Sequence, residues 1–375
     1  MKLLYLANLR LPTEKAYGIQ IAKTCEAFAD CGLDLLLLYP NRNNKIKEDI
    51  FSYFSVKNNF KTKKLYSPDF YWPGSLDKFS FHIKNFVSAV ALSVFALRNK
   101  FDVIYSRDEL IIFLLSFFKS NLVFEAHRLS KQKMLFYRWF KIKNTKIVAI
   151  TKSLKRELCD IGFSGEDILV APDGVDLREF DLSLFKNEAR LKVGLPQDKK
   201  IIMYTGHLFG WKGAQILLQT ARNFQPDDAL FVFVGGTEFD VKNFREKAEG
   251  LDNVLILGQR PRREVPLYLK AADVLILPNS AKYDVSSKYT SPLKLFEYMA
   301  SGRPIVASDL ASVREVLNDK NAILVKPDDP GNLAEGIAKI FRDNFLGERL
   351  TEEARKNVKD YTWTKRTASI LNFIG

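Results

Sequence analysis

Short apolar runs alternate with amphipathic stretches along almost the whole 375-residue chain. In the first half, leucine-rich or β-branched runs near 2–8, 33–39, 102–106, 121–125, 145–150 and 167–171 read as strands. Helical periodicity fills gaps between them, at 18–30, 82–98, 108–118 and 152–159. Continuous apolar strands joined by amphipathic crossovers mark a parallel sheet buried on both faces by helices. The pattern then restarts, with strands near 200–205, 229–234, 253–257, 273–277, 304–307 and 322–325, and a last helix at 364–373.

Between the two series runs APDGVDLREFDLSLFKNEARLKVGLPQDKK, a turn-rich, charged stretch with no sustained period. It puts the domain boundary within about 175–195. The expected organisation is an N-terminal domain over 1–175, a C-terminal domain over 176–360 and a closing helix over 361–375. The fold class is α/β, with two doubly wound units and a ligand cleft expected at the carboxyl ends of their strands.

Composition narrows the setting. Three cysteines, Cys25, Cys31 and Cys159, fit neither a zinc site nor a disulfide framework, which suits a reducing cytosol. The first apolar run ends after seven residues and reads as a strand rather than a signal peptide. The apolar stretches Phe86–Leu97 and Leu110–Phe118 fall short of the ~20 residues that span a bilayer, so no crossing segment is expected and the location is read as cytoplasmic.

Of the net charge of +13, residues 1–150 carry +12, with 24 Lys and Arg against 12 Asp and Glu. A basic half suits an anionic partner, or simply a solvated lysine-rich surface. Within it, KQKMLFYRWFKIKNTK (131–146) interleaves six basic residues with Phe136, Tyr137, Trp139 and Phe140. On a helix this is either a basic, aromatic edge for an anionic membrane surface or a core-packed helix with a wet face. No RNA- or DNA-binding module is present, so nucleic acid is not an expected partner.

Four loops carry residues suited to a nucleoside diphosphate. Gly18, in LRLPTEKAYGIQIAKTCEAFA, opens a helix whose free amides could meet an anion, or is an ordinary turn glycine. In YTGHLFGWKG, Gly206 permits close approach and Lys212 offers a point charge just before a helix. Gly213 follows that lysine where a Walker A loop would place Ser or Thr for magnesium. In SSKYTSPLKLFEYMASGRPIVASD, Ser291 and the Leu293 amide precede or open a helix near Pro292, and Glu297 could bond ribose hydroxyls or simply face solvent. Arg107 in YSRDE and His127 in FEAHRLS each stand just past a strand of the first half. No D-x-D pair and no cluster with metal-ligand spacing occurs, so the expected chemistry uses neither metal nor cofactor.

Together these segments resemble family 4 of the retaining GT-B glycosyltransferases (glycosyl transferases group 1) over nearly the whole chain. YTSPLKLFEYMASGRPIVASD resembles the family's paired-glutamate signature, with Glu297 as the second glutamate. YTGHLFGWKG is similar to its Gly-Arg-Leu…Lys-Gly segment, PDGVD (172–176) to its Asn-Gly-Val-Asp segment, and His127 to its N-domain histidine. The resemblance implies two Rossmann-like domains facing a central cleft, the N-terminal one binding acceptor, and a C-terminal helix crossing back to it. It also implies transfer of a hexose with retention, from a nucleotide sugar such as UDP-glucose, to a glycan or lipid-linked acceptor of polysaccharide synthesis.

Under the same resemblance, His127 and Lys212 are the catalytic candidates and Arg107 stands on the acceptor side. Donor contacts fall on Gly18, Gly206, His207, Lys212, Gln259, Arg260, Tyr289, Ser291, Pro292, Leu293 and Glu297, with the base near Gln259. The chain departs from the family at three places: Tyr289 replaces the first glutamate, Ser291-Pro292 replace Phe-Gly, and His207 replaces an arginine beside the lysine. A neutral histidine supplies less charge than arginine, so leaving-group stabilisation is expected to rest more on Lys212 and helix amides, with Arg260 or Lys294 as candidates to compensate. A binding-only member and a GDP-mannose-type enzyme of the same fold are the alternatives.

Overall fold

The computed structural model describes residues 1–70, 72, 77–224 and 229–375. The chain divides into two units, one of 1–172 with 363–375 and the other of 173–362.

The first unit holds a seven-stranded parallel sheet in the order β3-β2-β1-β4-β5-β6-β7. Its strands are β1 (Lys2–Leu6), β2 (Asp34–Asn41), β3 (Lys61–Tyr66), β4 (Val103–Ser106), β5 (Leu122–Ala126), β6 (Lys146–Ala149) and β7 (Ile168–Val170). The second unit repeats the plan with six parallel strands in the order β10-β9-β8-β11-β12-β13. These are β8 (Lys200–Thr205), β9 (Ala229–Val234), β10 (Val254–Gly258), β11 (Val274–Leu277), β12 (Ile305–Ser308) and β13 (Ile323–Val325). Both orders reverse direction beside the first strand of the unit, which is the doubly wound Rossmann arrangement.

Burial on both faces explains the unbroken apolar runs. In β8, Ile201 and Met203 enter one core cluster and Ile202 and Tyr204 the opposite one, all fully buried. Alternate residues point to opposite faces of a strand, so a strand covered by helices on both sides has no polar position to spare.

The apolar pattern missed β3. Its sequence, KTKKLY, is almost wholly exposed at the edge of the sheet. Lysines on an edge strand discourage pairing with another chain, and the same lysines hide the strand from a reading based on hydrophobic runs. The short helix Ile50–Phe54 also escaped, being only five residues long.

One expectation is corrected. The helix Asp77–Arg98 has 22 residues and, among those described, is the one long and apolar enough to cross a membrane by length and composition. It starts before the predicted 82. It is half-buried within the first unit, and Lys84, in its middle, is fully buried in an ion pair of 2.9 Å with Asp69. A charged lysine held this way reads as a packed helix of the unit.

The closing helix Trp363–Ile374 belongs to the first unit, packing on the helix Ala16–Asp30 with Ile370 fully buried in that unit's core. Arg366 fastens it. Its guanidinium pairs with Glu125 of β5 at 3.1 Å and donates to the Pro172 carbonyl at 3.0 Å. Removing one partner of a buried pair strands the other charge, at a cost of about 3–5 kcal/mol. Arg366→Met should therefore lower the first unit's stability by about that much in urea unfolding at pH 7. A loss below about 1 kcal/mol would show that the helix is held by its apolar face alone.

Candidate functional site

In the second unit, the polar residues gather where β8 ends. The chain leaves β8 through Gly206, and a Cβ built there would lie 3.8 Å from Lys212 Nζ, 3.9 Å from the Tyr204 hydroxyl and 4.0 Å from Lys294 Cδ. Two lysines distant in sequence thus flank one glycine at the carboxyl end of the strand beside which the sheet order reverses. Gly213, immediately after Lys212, has φ +73°, and a Cβ there would meet the Pro278 carbonyl oxygen at 1.7 Å. Only glycine fits, so the turn that delivers Lys212 has a fixed shape.

Burial pushes the Lys212 ammonium down to about 8, against the pull of Glu297. Lys294, in the helix Leu293–Ala300, lies well below the ordinary lysine value, first through burial and then through the charge of Lys212. Glu297 opposes both shifts. Its own place is fixed by Arg262, which contacts Glu297 at 2.5 Å and Glu179 at 3.2 Å. Burial would lower the Arg262 pKa, but the two carboxylates raise it. Glu297 is buried, so the solvent-facing reading of this residue does not hold.

The other donor candidates are spread around this cluster. His207 stacks its ring on Phe209 with centroids 4.8 Å apart and faces Asp240 at 3.9 Å. The Ser291 hydroxyl accepts the Asp173 amide at 2.9 Å. Pro292 is the N-cap residue rather than part of the helix, so Leu293 is the first helical position. Tyr289 is half-buried in the preceding segment, and Gln259 is exposed past the end of β10 with Arg260 half-buried beside it.

The first unit has a separate polar cluster. His127 Nε2 meets Glu125 Oε1 at 2.6 Å, and Gln20 donates to the same oxygen at 2.7 Å. Tyr105 and Arg366 hold the other carboxylate oxygen. Arg107 joins through Gln20, donating to its amide oxygen at 2.7 Å. The structure thus brings Arg107 and His127 together around a fully buried carboxylate. Burial alone would raise Glu125, yet Arg366, His127 and Arg107 hold it well below the usual carboxylate range. His127 is driven down to about 4 by burial and by Arg107. The ring is neutral at pH 7 and its Nε2–H donates to Glu125, which leaves Nδ1 as an acceptor.

Gly18 has another surrounding than the one expected. It is the third residue of the helix Ala16–Asp30 and its amide donates to the Lys15 carbonyl at 3.0 Å. A Cβ there would lie 2.6 Å from both Phe54 Cζ and Thr13 Cγ2, so close packing already requires the glycine.

Sequence reading passed over Arg262, Glu125, Gln20 and Arg366. Glu125 left a signal: a carboxylate inside the apolar run LVFEA has no place in a buried strand without partners. Arg262, in QRPRREV, left none, because its neighbours are as basic as it is.

His127 generates a pH prediction. Its folded-state value near 4 lies below the ordinary 6.5, so the stability tied to its neutral form is complete above 6.5 and is lost as pH falls toward 4. Wild-type protein should lose on the order of 3 kcal/mol across that window through this group. His127→Asn should flatten that slope in urea unfolding followed from pH 7 to 4, and an unchanged slope would place the titration elsewhere.

Comparison with known proteins bears on the family and the fold. Residues 185–357 match the family model for glycosyl transferases group 1. An uncharacterized glycosyltransferase of Methanocaldococcus jannaschii is 26% identical over 241 residues, 61% of this chain and 60% of that protein. The UDP-Gal:alpha-D-GlcNAc-diphosphoundecaprenol alpha-1,3-galactosyltransferase of Escherichia coli is 26% identical over 255 residues, 64% of this chain and 63% of that protein. The chain matches about three fifths of the length of each of these curated relatives. HepE of Anabaena, solved in complex with UDP and glucose, superposes with a TM-score of 0.75 over 99% of both chains at 16% identity, a likeness of fold. Residues 185–357 thus carry a likeness to group 1 of the glycosyl transferases, and the chain, with two parallel-sheet units and a final helix that returns to the first, has the GT-B fold.

Proposed function

We propose that the chain is a glycosyltransferase that moves a hexose from a nucleoside diphosphate sugar, a UDP-hexose such as UDP-glucose, to a glycan or lipid-linked acceptor. The observation that carries this reading is the position of the Lys212 ammonium beside Gly206 at the carboxyl end of β8, with Glu297 close by. That is where a parallel α/β sheet receives phosphates. The galactosyltransferase relative, whose name specifies a diphosphoundecaprenol-linked acceptor, supports the lipid-linked choice.

The chemistry follows from charge. Breaking the sugar–phosphate bond leaves negative charge on the diphosphate, and a preorganised cation in a low-dielectric site stabilises it as it develops. Lys212 is given this role. Glu297 keeps one carboxylate oxygen on Arg262 and offers the other to the ribose hydroxyls. His127, neutral and fixed by Glu125, is assigned to a hydroxyl of the transferred sugar, to which Nδ1 acts as acceptor. Retention at the anomeric carbon and independence of divalent metal belong to the same proposal. The experiment is nucleotide-stabilised melting with EDTA present, using UDP, GDP and their hexose conjugates. A ligand at 100 times its Kd adds about 2.7 kcal/mol, and Lys212→Ala should abolish the shift. The absence of a shift with every nucleotide in the wild type would overturn the reading.

A place at a cytoplasmic, anionic membrane face is part of the proposal. In the helix Met134–Ile142, Tyr137 and Phe140 are fully buried, while Phe136 and Trp139 are half-buried and stack on Phe113 and on the exposed Phe117. The helix exposes Leu135 and Ile142, with Phe118 nearby in sequence to the preceding helix, among Lys131, Arg138, Lys141 and Lys143. Wild-type protein should sediment with phosphatidylserine vesicles at low salt, and Leu135→Ser with Ile142→Ser should remain in the supernatant. Equal sedimentation of the two would exclude this surface.

A further inference from the structure

Lys294 is a buried cation whose ammonium the protein leaves without a hydrogen bond. Its residue is 7% exposed, and its Nζ has no hydrogen-bond partner. It lies 4.0 Å from the centroid of the Tyr204 ring, whose hydroxyl is turned away to the His207 carbonyl at 2.6 Å. The charged or titratable groups that act on it are Tyr204 on β8, Lys212 on the loop that follows and Glu297 on its own helix, with Arg262 behind Glu297. Glu297 is already committed to Arg262, and Lys212 repels.

An apolar residue would fill this place on the inner face of the helix Leu293–Ala300 without penalty, since its neighbours Leu295, Phe296, Tyr298 and Met299 are all buried. A lysine here disfavours the unliganded protein twice, by burial of an ammonium and by the like charge of Lys212. Only a ligand bearing more than one negative charge reverses both terms, by pairing with the two ammonium groups together.

We propose that Lys294 is the second cation of the diphosphate site, meeting the phosphates opposite Lys212 across the open face of Gly206. This rests on the donor-site reading given above and extends it to a residue outside the loop after β8. His207, where the family resemblance leads one to expect an arginine, turns to Phe209 and Asp240 instead. Lys294 supplies the missing charge from the next polar segment of the same unit. The face of the Tyr204 ring holds the ammonium in place until the anion arrives.

The test separates a ligand contact from a structural lysine. Titration calorimetry with UDP, GDP and UMP, in EDTA, is run on wild type, Lys294→Met, Lys294→Arg and Lys212→Met, and each is unfolded in urea without nucleotide. Lys294→Met should weaken diphosphate binding about 10- to 100-fold, lower the preference for UDP over UMP, and raise the stability of the unliganded protein. Lys294→Arg should recover part of the affinity. Lys294→Met with wild-type UDP affinity and reduced stability would overturn the proposal, making Lys294 a packing residue on Tyr204, while UDP binding by the wild type would leave the donor-site reading in force. Failure of the wild type to bind any of the nucleotides would overturn both.

Discussion

Each unit is organised around one buried carboxylate held by an arginine from elsewhere in the sequence. In the first unit Glu125 pairs with Arg366, and in the second Glu297 pairs with Arg262. A carboxylate inside a doubly wound sheet unit is tolerated only when its oxygens are paired or bonded. The two pairs therefore fix more than themselves. Glu125 orders Gln20, Tyr105, His127 and, through Gln20, Arg107, and it ties the closing helix to β5. Glu297 pulls the pKa values of Lys212 and Lys294 upward against burial, and its partner Arg262 also joins it to Glu179 on the short helix Leu177–Phe180.

Beside these satisfied pairs, the contrast with the lysines is informative. The unit spends no hydrogen bond on Lys294, and both lysines are pushed below their ordinary values by burial. Proteins commonly retain such destabilising groups where a ligand will use them. The same reasoning explains the fixed shape of the turn before Lys212, in which the Pro278 carbonyl excludes any side chain at Gly213. A rigid turn and an uncompensated charge together describe a preorganised anion site.

Much of this was legible in the sequence, for physical reasons that differ by element. The strands buried on both faces announced themselves as apolar runs, and all six of the second unit fall where that pattern puts them. β3 did not, because an exposed edge strand carries lysines in place of valines. The helix Asp77–Arg98 looks shorter in sequence than it is because polar residues interrupt its first turns. Lys212 and Glu297 were reachable from motif and family resemblance, whereas Arg262 and Arg366 act over 35 and 241 residues of chain and have no local pattern. The aromatic residues at 136–140 are equally consistent in sequence with a membrane edge and a packed helix; tertiary packing buries Tyr137 and Phe140 and leaves Phe136 and Trp139 half-buried on Phe113 and Phe117.

The central claim is that the end of β8 in the second unit is a diphosphate site. Its most direct test is a crystal structure of the protein with UDP, grown without divalent metal. The account predicts the diphosphate over Gly206, with phosphate oxygens within hydrogen-bonding distance of Lys212 Nζ and Lys294 Nζ and the ribose on Glu297. UDP bound away from Gly206, or bound there with both ammonium groups out of reach, would contradict it.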